Sequence, residues 1–207
     1  MKRFSASRRQ LLGAAFVSEQ LKQTDAHASS TCTMTLAQAP GIVGLKLGMT
    51  SEQVLALFPE SKDDPEVKAS LSRPPNSFGV SNLLIKPERY ATAAKFAGVS
   101  QIVLTLLDNR VSSFYIGYSG PEWKDVDEFV TRYFDGSNFP KADAWQARVG
   151  LDTQLKTLKC REFELSVFAG GEGGNLNYVL MIDEAARRKL KERKGKAVEK
   201  KVAETKP

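Results

Sequence analysis

Histidine-based chemistry would have to use one position in this chain. His27 is the only histidine among the 207 residues, and it lies in a segment that we predict is removed on export. Serine–histidine and cysteine–histidine nucleophilic pairs, HExxH helices and the common zinc-hydrolase ligand sets all need histidine. The sequence therefore favours a non-catalytic protein, and we predict no catalytic, cofactor-binding or metal-binding residue.

The cysteines leave two structural alternatives open. Cys32 and Cys160 are the only two in the chain, and a disulfide between them would contribute about 4 to 5 kcal/mol in the chain-entropy model. The favoured alternative is an ordinary buried thiol at Cys160 on a strand. A nucleophilic Cys160 would lack its usual activating histidine.

Carboxylates could still act without histidine, and two acidic groups are candidates. Residues 63–66 follow Pro59 in a predicted polar loop that lacks the spacing of a calcium-binding loop. Residues 125–128 fall in the first turns of a predicted helix, where the helix dipole favours negative charge. The glycine cluster at 170–174 has no following lysine to bind phosphate, and we interpret it as a mobile hairpin loop. A carboxylate-only hydrolase remains an alternative without a designated pair of residues.

The net charge of +6 is concentrated at the two ends of the chain. Residues 1–40 carry +3 and residues 183–207 carry +5, whereas residues 41–182 carry −2. A slightly acidic body is not the electrostatic footprint of a nucleic-acid-binding domain. The second alternative is therefore a cytosolic interaction or regulatory protein whose basic C-terminal arm contacts nucleic acid. The same arm could contact an anionic lipid surface.

The amino end is typical of a bacterial export signal. Basic residues precede an apolar run at 11–17, and Ala26-His27-Ala28 is a small-x-small cleavage site. Residues 7–12 also resemble the twin-arginine export consensus. We predict an export signal at 1–28, a flexible lead-in at 29–42 and a periplasmic or secreted protein, with a cytoplasmic location as the alternative. No stretch reaches the roughly 18 apolar residues of a transmembrane helix.

The remaining pattern predicts an α+β domain at 43–182 with helices on one face of an antiparallel sheet. Two helix-plus-strands units, at about 43–118 and 119–182, are indicated. Alternating apolar residues and turn signals predict strands at 80–86, 99–107, 111–118, 162–167 and 176–182. A loop that contains Pro140 and Trp145 is predicted before the strand at 162–167.

Two further helices flank the second group of strands. Apolar residues recur with helical spacing from Trp123 to Phe134, so we predict a helix that starts at Pro121 and ends at Gly136. Asp183 is a candidate cap for a charged C-terminal helix at 183–207. We expect that helix to reach about Lys194 and then to become disordered, because Gly195 interrupts it.

Residues 44–59 predict a complete short helix with its start and stop. Thr50 is placed to cap the helix, and Gln53 three residues later can return a bond to the backbone of Thr50. Met49 can pack on Val54 across the cap, and Pro59 cannot continue the helix.

The run Leu47-Gly48-Met49-Thr50, followed by Glu52 and Val54, resembles the opening signature of small outer-membrane assembly lipoproteins of the SmpA/OmlA, or BamE-like, type. The resemblance covers about one helix and transfers only Gly48, Met49 and Thr50. It implies a helical segment against an antiparallel sheet, as in the related β-lactamase-inhibitor-like folds, and a role in binding proteins. The alternative is that Gly-Met-Thr is simply a good helix cap.

Together these features favour an exported, non-catalytic protein of the bacterial cell envelope that binds a protein or peptide. Gly48, Met49, Thr50 and Gln53 are predicted to matter for the fold.

Overall fold

The computed structural model describes residues 32–90, 96–119, 123–134, 139–140, 142–151, 153–170 and 177–204. The predicted export signal, with His27, and residues 171–174 of the glycine cluster lie outside them. The described residues form, in order, α1 (Ser51–Leu57), α2 (Pro65–Ser72), β1 (Val80–Ile85), β2 (Val99–Leu107), β3 (Arg110–Tyr118), α3 (Val126–Phe134), β4 (Trp145–Val149), β5 (Thr153–Lys159), β6 (Phe163–Gly170), β7 (Asn177–Asp183) and α4 (Glu184–Glu204).

The strands form one antiparallel sheet in the order β1-β2-β3-β7-β6-β5-β4. The predicted α+β class is therefore confirmed. The stretches predicted as two units, 43–118 and 119–182, contribute to this single sheet, because β3 pairs with β7 from Ser113 to Tyr118.

One face of the sheet carries the hydrophobic core. Strand registers place one buried residue from each strand in a continuous row: Leu83, Leu104, Phe114, Met181, Leu165, Leu158 and Trp145. Helices α1, α2 and α3 contribute buried residues to the same core, namely Val54, Leu55, Val67, Val126, Phe129 and Phe134, together with Phe58 directly after α1. These three helices therefore cover the core face.

The hairpin between β2 and β3 follows the sequence prediction closely. Its turn residues Asp108 and Asn109 have φ angles of 52° and 60°. Consecutive positive φ angles suit the right-handed twist of a tight hairpin, and Asn and Asp tolerate them better than most residues.

Strands β4 and β5 were missed: the sequence analysis placed Trp145 in a loop and predicted no strand between it and residue 162. In β4 only Trp145 is buried, and in β5 only Leu158 is. In sequence, Trp145, Ala147 and Val149 of β4 alternate with Gln146 and Arg148, so this strand carries a short signal that the sequence analysis overlooked. In β5 the apolar residues Leu155 and Leu158 are three apart, so that strand lacks the alternation.

The lead-in predicted to be flexible at 29–42 is packed over its described residues, 32–42. Cys32 forms a disulfide with Cys160, and Ile42 is fully buried. The favoured expectation of an unpaired thiol at Cys160 was therefore wrong. Spacing alone could not identify the pair, because the two cysteines are 128 residues apart in sequence.

Two helix starts differ from the predictions. The third helix begins at Val126, with the Asp125 carboxylate accepting a 2.8 Å bond from the Glu128 N–H, and not at Pro121. Residues 64–72, where a polar loop was expected at 63–66, form α2 with Asp64 as its cap and Pro65 in the first turn. In both cases the helix begins directly after an aspartate cap, a local signal that the sequence analysis did not use.

The C-terminal helix does not end near Lys194. It continues through Gly195 to Glu204, and Asp183 caps it by accepting bonds from the N–H groups of Ala185 and Ala186. A glycine inside a helix costs only about 1 kcal/mol relative to alanine, and the neighbouring lysine, glutamate and alanine residues are good helix formers.

Candidate interaction surfaces

The predicted Gly-Met-Thr motif caps α1 and is hydrogen-bonded to the start of β3. The Thr50 hydroxyl accepts a 3.3 Å bond from Gln53 N–H, and the Gln53 side chain accepts a 2.9 Å bond from Thr50 N–H, so the capping box is present. Gly48 N–H donates to the Val111 carbonyl and Val111 N–H donates to the Met49 carbonyl, both at 2.8 Å. Gly48 has a φ of 81°, which favours glycine. These contacts are structural.

The first acidic group is used for folding. Asp64 is buried and accepts bonds from Glu66 N–H at 2.8 Å, from the Tyr90 hydroxyl at 3.0 Å and from Arg89 at 3.3 Å. Burial opposes ionisation of Asp64, but these three donors outweigh it and keep its pKa below the usual value. Burial, followed by the bond to Asp64, raises the pKa of Tyr90 to about 12.

The second acidic group is also engaged locally. Asp125 caps α3, Glu128 accepts a 2.7 Å bond from the Lys124 N–H, and Asp127 pairs with Lys156 on β5. In the first group, the Asp64 and Glu66 carboxylates both accept bonds from the Arg89 guanidinium, which bridges them. In the second group, each carboxylate has a different partner. Within the described ranges, no three His, Cys, Asp or Glu side chains are grouped so that they could hold a metal ion.

Two grooves lie beside the β2–β3 turn. The first, of about 420 Å³, runs between α1, α2 and β1 and includes Glu52, Arg73 and Asn82. Hydrogen bonds, chiefly from Thr50, lower the pKa of the exposed Glu52 to about 2. The second, of about 500 Å³, lies between the start of α4 and the turn and includes Asp108 and Lys189. Both have mixed polar and apolar linings without a recognisable catalytic arrangement.

The sheet face opposite the core carries a half-buried apolar surface, which we call the second sheet face. Strand registers align Leu84, Val103, Tyr115 and Leu180 in one row. Beside this row, the Tyr178 ring lies 5.2 Å from that of Tyr115 and is stacked 4.9 Å from that of Phe168, measured between centroids. Burial, with a smaller effect of nearby Tyr178, raises the pKa of Tyr115.

Strand β4 forms one edge of the sheet and is exposed over four of its five residues. Its β5 neighbour covers only one side. Val149 is 78% exposed and Leu151, in the following turn, is completely exposed. Sequence reasoning missed this surface because it missed both strands.

The basic C-terminal helix lies across the end of the sheet. Asp108 forms 2.8 Å ion pairs with both Lys189 and Arg193, and Arg193 also donates a 2.6 Å bond to the Phe78 carbonyl. Arg193, followed by Lys189, holds the pKa of Asp108 well below its usual range. At least these basic groups are therefore used within the domain.

Comparison with known proteins gives one weak structural similarity. No family model and no curated protein matches the chain. A crystal structure of an extracellular protein containing an SCP domain from Bacillus anthracis str. Ames matches with 13% identity and a TM-score of 0.31. The match covers 81% of this chain and 50% of that chain. Similarity at this level extends neither the fold nor the function of that protein to this chain.

None of the helices in the described part of the chain combines the length and the apolar character needed to cross a membrane.

Proposed function

We propose that this is an exported, non-catalytic protein of the bacterial cell envelope that binds a protein or peptide on its second sheet face. The observation that carries the proposal is the apolar row of Leu84, Val103, Tyr115 and Leu180 with the adjoining Tyr178. Aromatic residues with a polar tip are enriched where proteins bind one another, because they provide apolar contact area and a hydrogen-bonding group together.

The disulfide supports the proposed compartment. Structural disulfides persist in the periplasm and outside the cell, and they are rare in the reducing cytosol. Cleavage after Ala28 would leave both Cys32 and Cys160 in the mature chain, so the disulfide could still form. The SmpA/OmlA-like residues Gly48, Met49 and Thr50 agree with an envelope role, although in this protein their contacts are structural.

The alternative functions gain less support. Contact of the basic arm with nucleic acid would have to compete with the ion pairs that Lys189 and Arg193 form with Asp108. A carboxylate-only hydrolase needs two carboxyl groups that can act on a substrate, whereas Asp64 and Glu66 are bridged by Arg89, and Asp125 caps a helix.

The compartment is tested by the intact mass of untagged protein from periplasmic and cytosolic fractions, measured with and without thiol alkylation. We expect a periplasmic species that begins near Ser29 and resists alkylation until it is reduced. A full-length cytosolic species with two free thiols would overturn the export proposal.

The binding surface is tested by photo-crosslinking in the native host. A benzophenone-bearing phenylalanine derivative replaces Tyr115 or Tyr178, and the matched control places it at the exposed Lys62, which lies outside the second sheet face. We expect discrete light-dependent adducts to another protein from the two sheet positions and none from the control. Absence of adducts, or equal adducts from position 62, would overturn the proposed surface.

A further inference from the structure

Within the described part of the chain, β4 has backbone hydrogen-bonding groups without a partner, and their direction follows from its pairing with β5. The Gly150 N–H donates to the Thr153 carbonyl at 2.8 Å, and the register continues as Val149 with Gln154 and Arg148 with Leu155. In an antiparallel ladder, hydrogen-bonded pairs alternate with non-hydrogen-bonded pairs. Residues 146, 148 and 150 therefore bond to β5, and residues 145, 147 and 149 direct their N–H and C=O groups outward.

We propose that this edge pairs with the β4 edge of a second copy of the same chain, antiparallel and centred on Ala147. In that register Ala147 faces Ala147 of the partner subunit, and Trp145 faces Val149 of the partner subunit. All three residues direct their backbone groups outward, and each hydrogen-bonded pair exchanges two N–H···O bonds. The inference is independent of the cellular compartment and of the second sheet face.

Side-chain chemistry selects this register among the two-fold arrangements. Opposed residues lie on the same side of an antiparallel pair, so Val149, now 78% exposed, would pack beside an indole on the core side. Arg148 would lie opposite an uncharged glutamine, since it faces Gln146 of the partner subunit. A register centred on Arg148 would instead oppose two arginines directly, which is unfavourable.

A second copy also explains how this edge could be protected in the native protein. Exposed edge strands invite uncontrolled pairing, and proteins usually protect them with charges, bulges, proline or a covering element. In the described residues of β4, Arg148 is the only charged side chain, there is no proline, and the register with β5 is uninterrupted. A two-fold dimer uses the β4 edge of both subunits, so the two β1 strands become the edges of the joined sheet. Further chains therefore cannot add at β4.

The decisive measurement is sedimentation velocity of the wild type and of two variants at Gln146 over a wide concentration range. In the proposed register the two Gln146–Arg148 contacts per dimer make the charge at position 146 decisive. We expect a concentration-dependent monomer–dimer equilibrium, about fivefold tighter for Gln146→Glu and about fivefold weaker for Gln146→Lys. Gln146 is exposed, so neither change should alter folding.

A third variant tests the backbone bonds directly. Ala147→Pro removes an N–H that points away from β5, which an edge strand tolerates, and it should reduce dimerisation at least tenfold. Ala147→Ser keeps the N–H and is its matched control. If the proline variant fails to fold, the two Gln146 variants still decide the question.

Two results would overturn the proposal. A wild-type chain that stays monomeric throughout the concentration range would contradict the dimer. An extended segment of a different protein would then be the candidate partner for this edge. Equal affinities of the two Gln146 variants, with a dimer present, would rule out the register centred on Ala147. Adducts to another protein at Tyr115 or Tyr178 would be unaffected by either result, so the two proposals fail separately.

Discussion

The two edges of the sheet differ in how they are covered. At the β1 edge, α2 packs on the strand, Leu83 and Ile85 are buried, and Arg193 from α4 bonds the Phe78 carbonyl nearby. At the β4 edge, four of five residues are exposed. The β1 edge buries apolar side chains on folding and therefore contributes to stability. The β4 edge buries few side chains, and its outward backbone groups can pair with another strand.

The largest effect on stability should come from loss of the disulfide that joins Cys32 to Cys160 in the β5–β6 turn. Replacing both Cys32 and Cys160 by serine should lower the free energy of unfolding by about 5 kcal/mol, because the unfolded chain loses a crosslink over 128 residues. Urea unfolding of the oxidised wild type and the variant measures the difference.

Reductant provides the control for this prediction. It should bring the wild type close to the double variant and leave the variant unchanged. A loss below about 1 kcal/mol would mean that packing of residues 32–42, with Ile42 fully buried, suffices without the crosslink.

A direct comparison of the two edges uses one alanine substitution in each. Leu83→Ala removes a side chain that is 1% exposed and should cost about 3 kcal/mol. Val149→Ala removes one that is 78% exposed and should change stability by less than about 0.5 kcal/mol. Urea midpoints at a low concentration, where the monomer dominates, provide the measurement. Similar losses would contradict the contrast between the edges.

The covered part of the fold could largely be predicted from the sequence. In β2 and β3, buried Ile102, Leu104, Phe114 and Ile116 alternate with less buried neighbours, and Asp108-Asn109 marks the turn. In α1 the cap and the stop are local signals that need no tertiary information. Where one face of an element is fully buried, the sequence must show the corresponding period.

The exposed part gives weaker signals. The apolar residues Trp145, Ala147 and Val149 of β4 alternate with polar ones, but over only five residues, four of them exposed. The apolar residues of β5 do not alternate with polar ones, so that strand is identified by its backbone pairing with β4 and β6. The disulfide and the anchoring of α4 on Asp108 depend on residues far apart in sequence. Both candidate binding surfaces follow from strand order, which no local pattern contains.

Loss of the ion pairs that attach α4 to Asp108 should have the smallest effect on the fold, and this effect depends on pH. The Asp108 pKa is lowered in the folded protein from its ordinary value of 3.8, chiefly by Arg193 and then by Lys189. Its stabilising contribution is therefore fully present above that ordinary value and is lost as the pH falls through the lower folded value. Acid should detach α4 from the end of the sheet, and the part beyond Arg193 should lose helical structure first because isolated helices of this length are marginal.

Far-UV circular dichroism between about pH 6 and about pH 2 measures this loss. Asp108→Asn should show a smaller helical signal already at neutral pH and a smaller further decrease in acid. Glu192→Gln removes a carboxylate from the exposed surface of the same helix and should follow the wild type. If Asp108→Asn also followed the wild type, packing of the half-buried Ala186, Leu190 and Ala197 would suffice to hold α4, and its ion pairs would contribute as little as exposed pairs usually do.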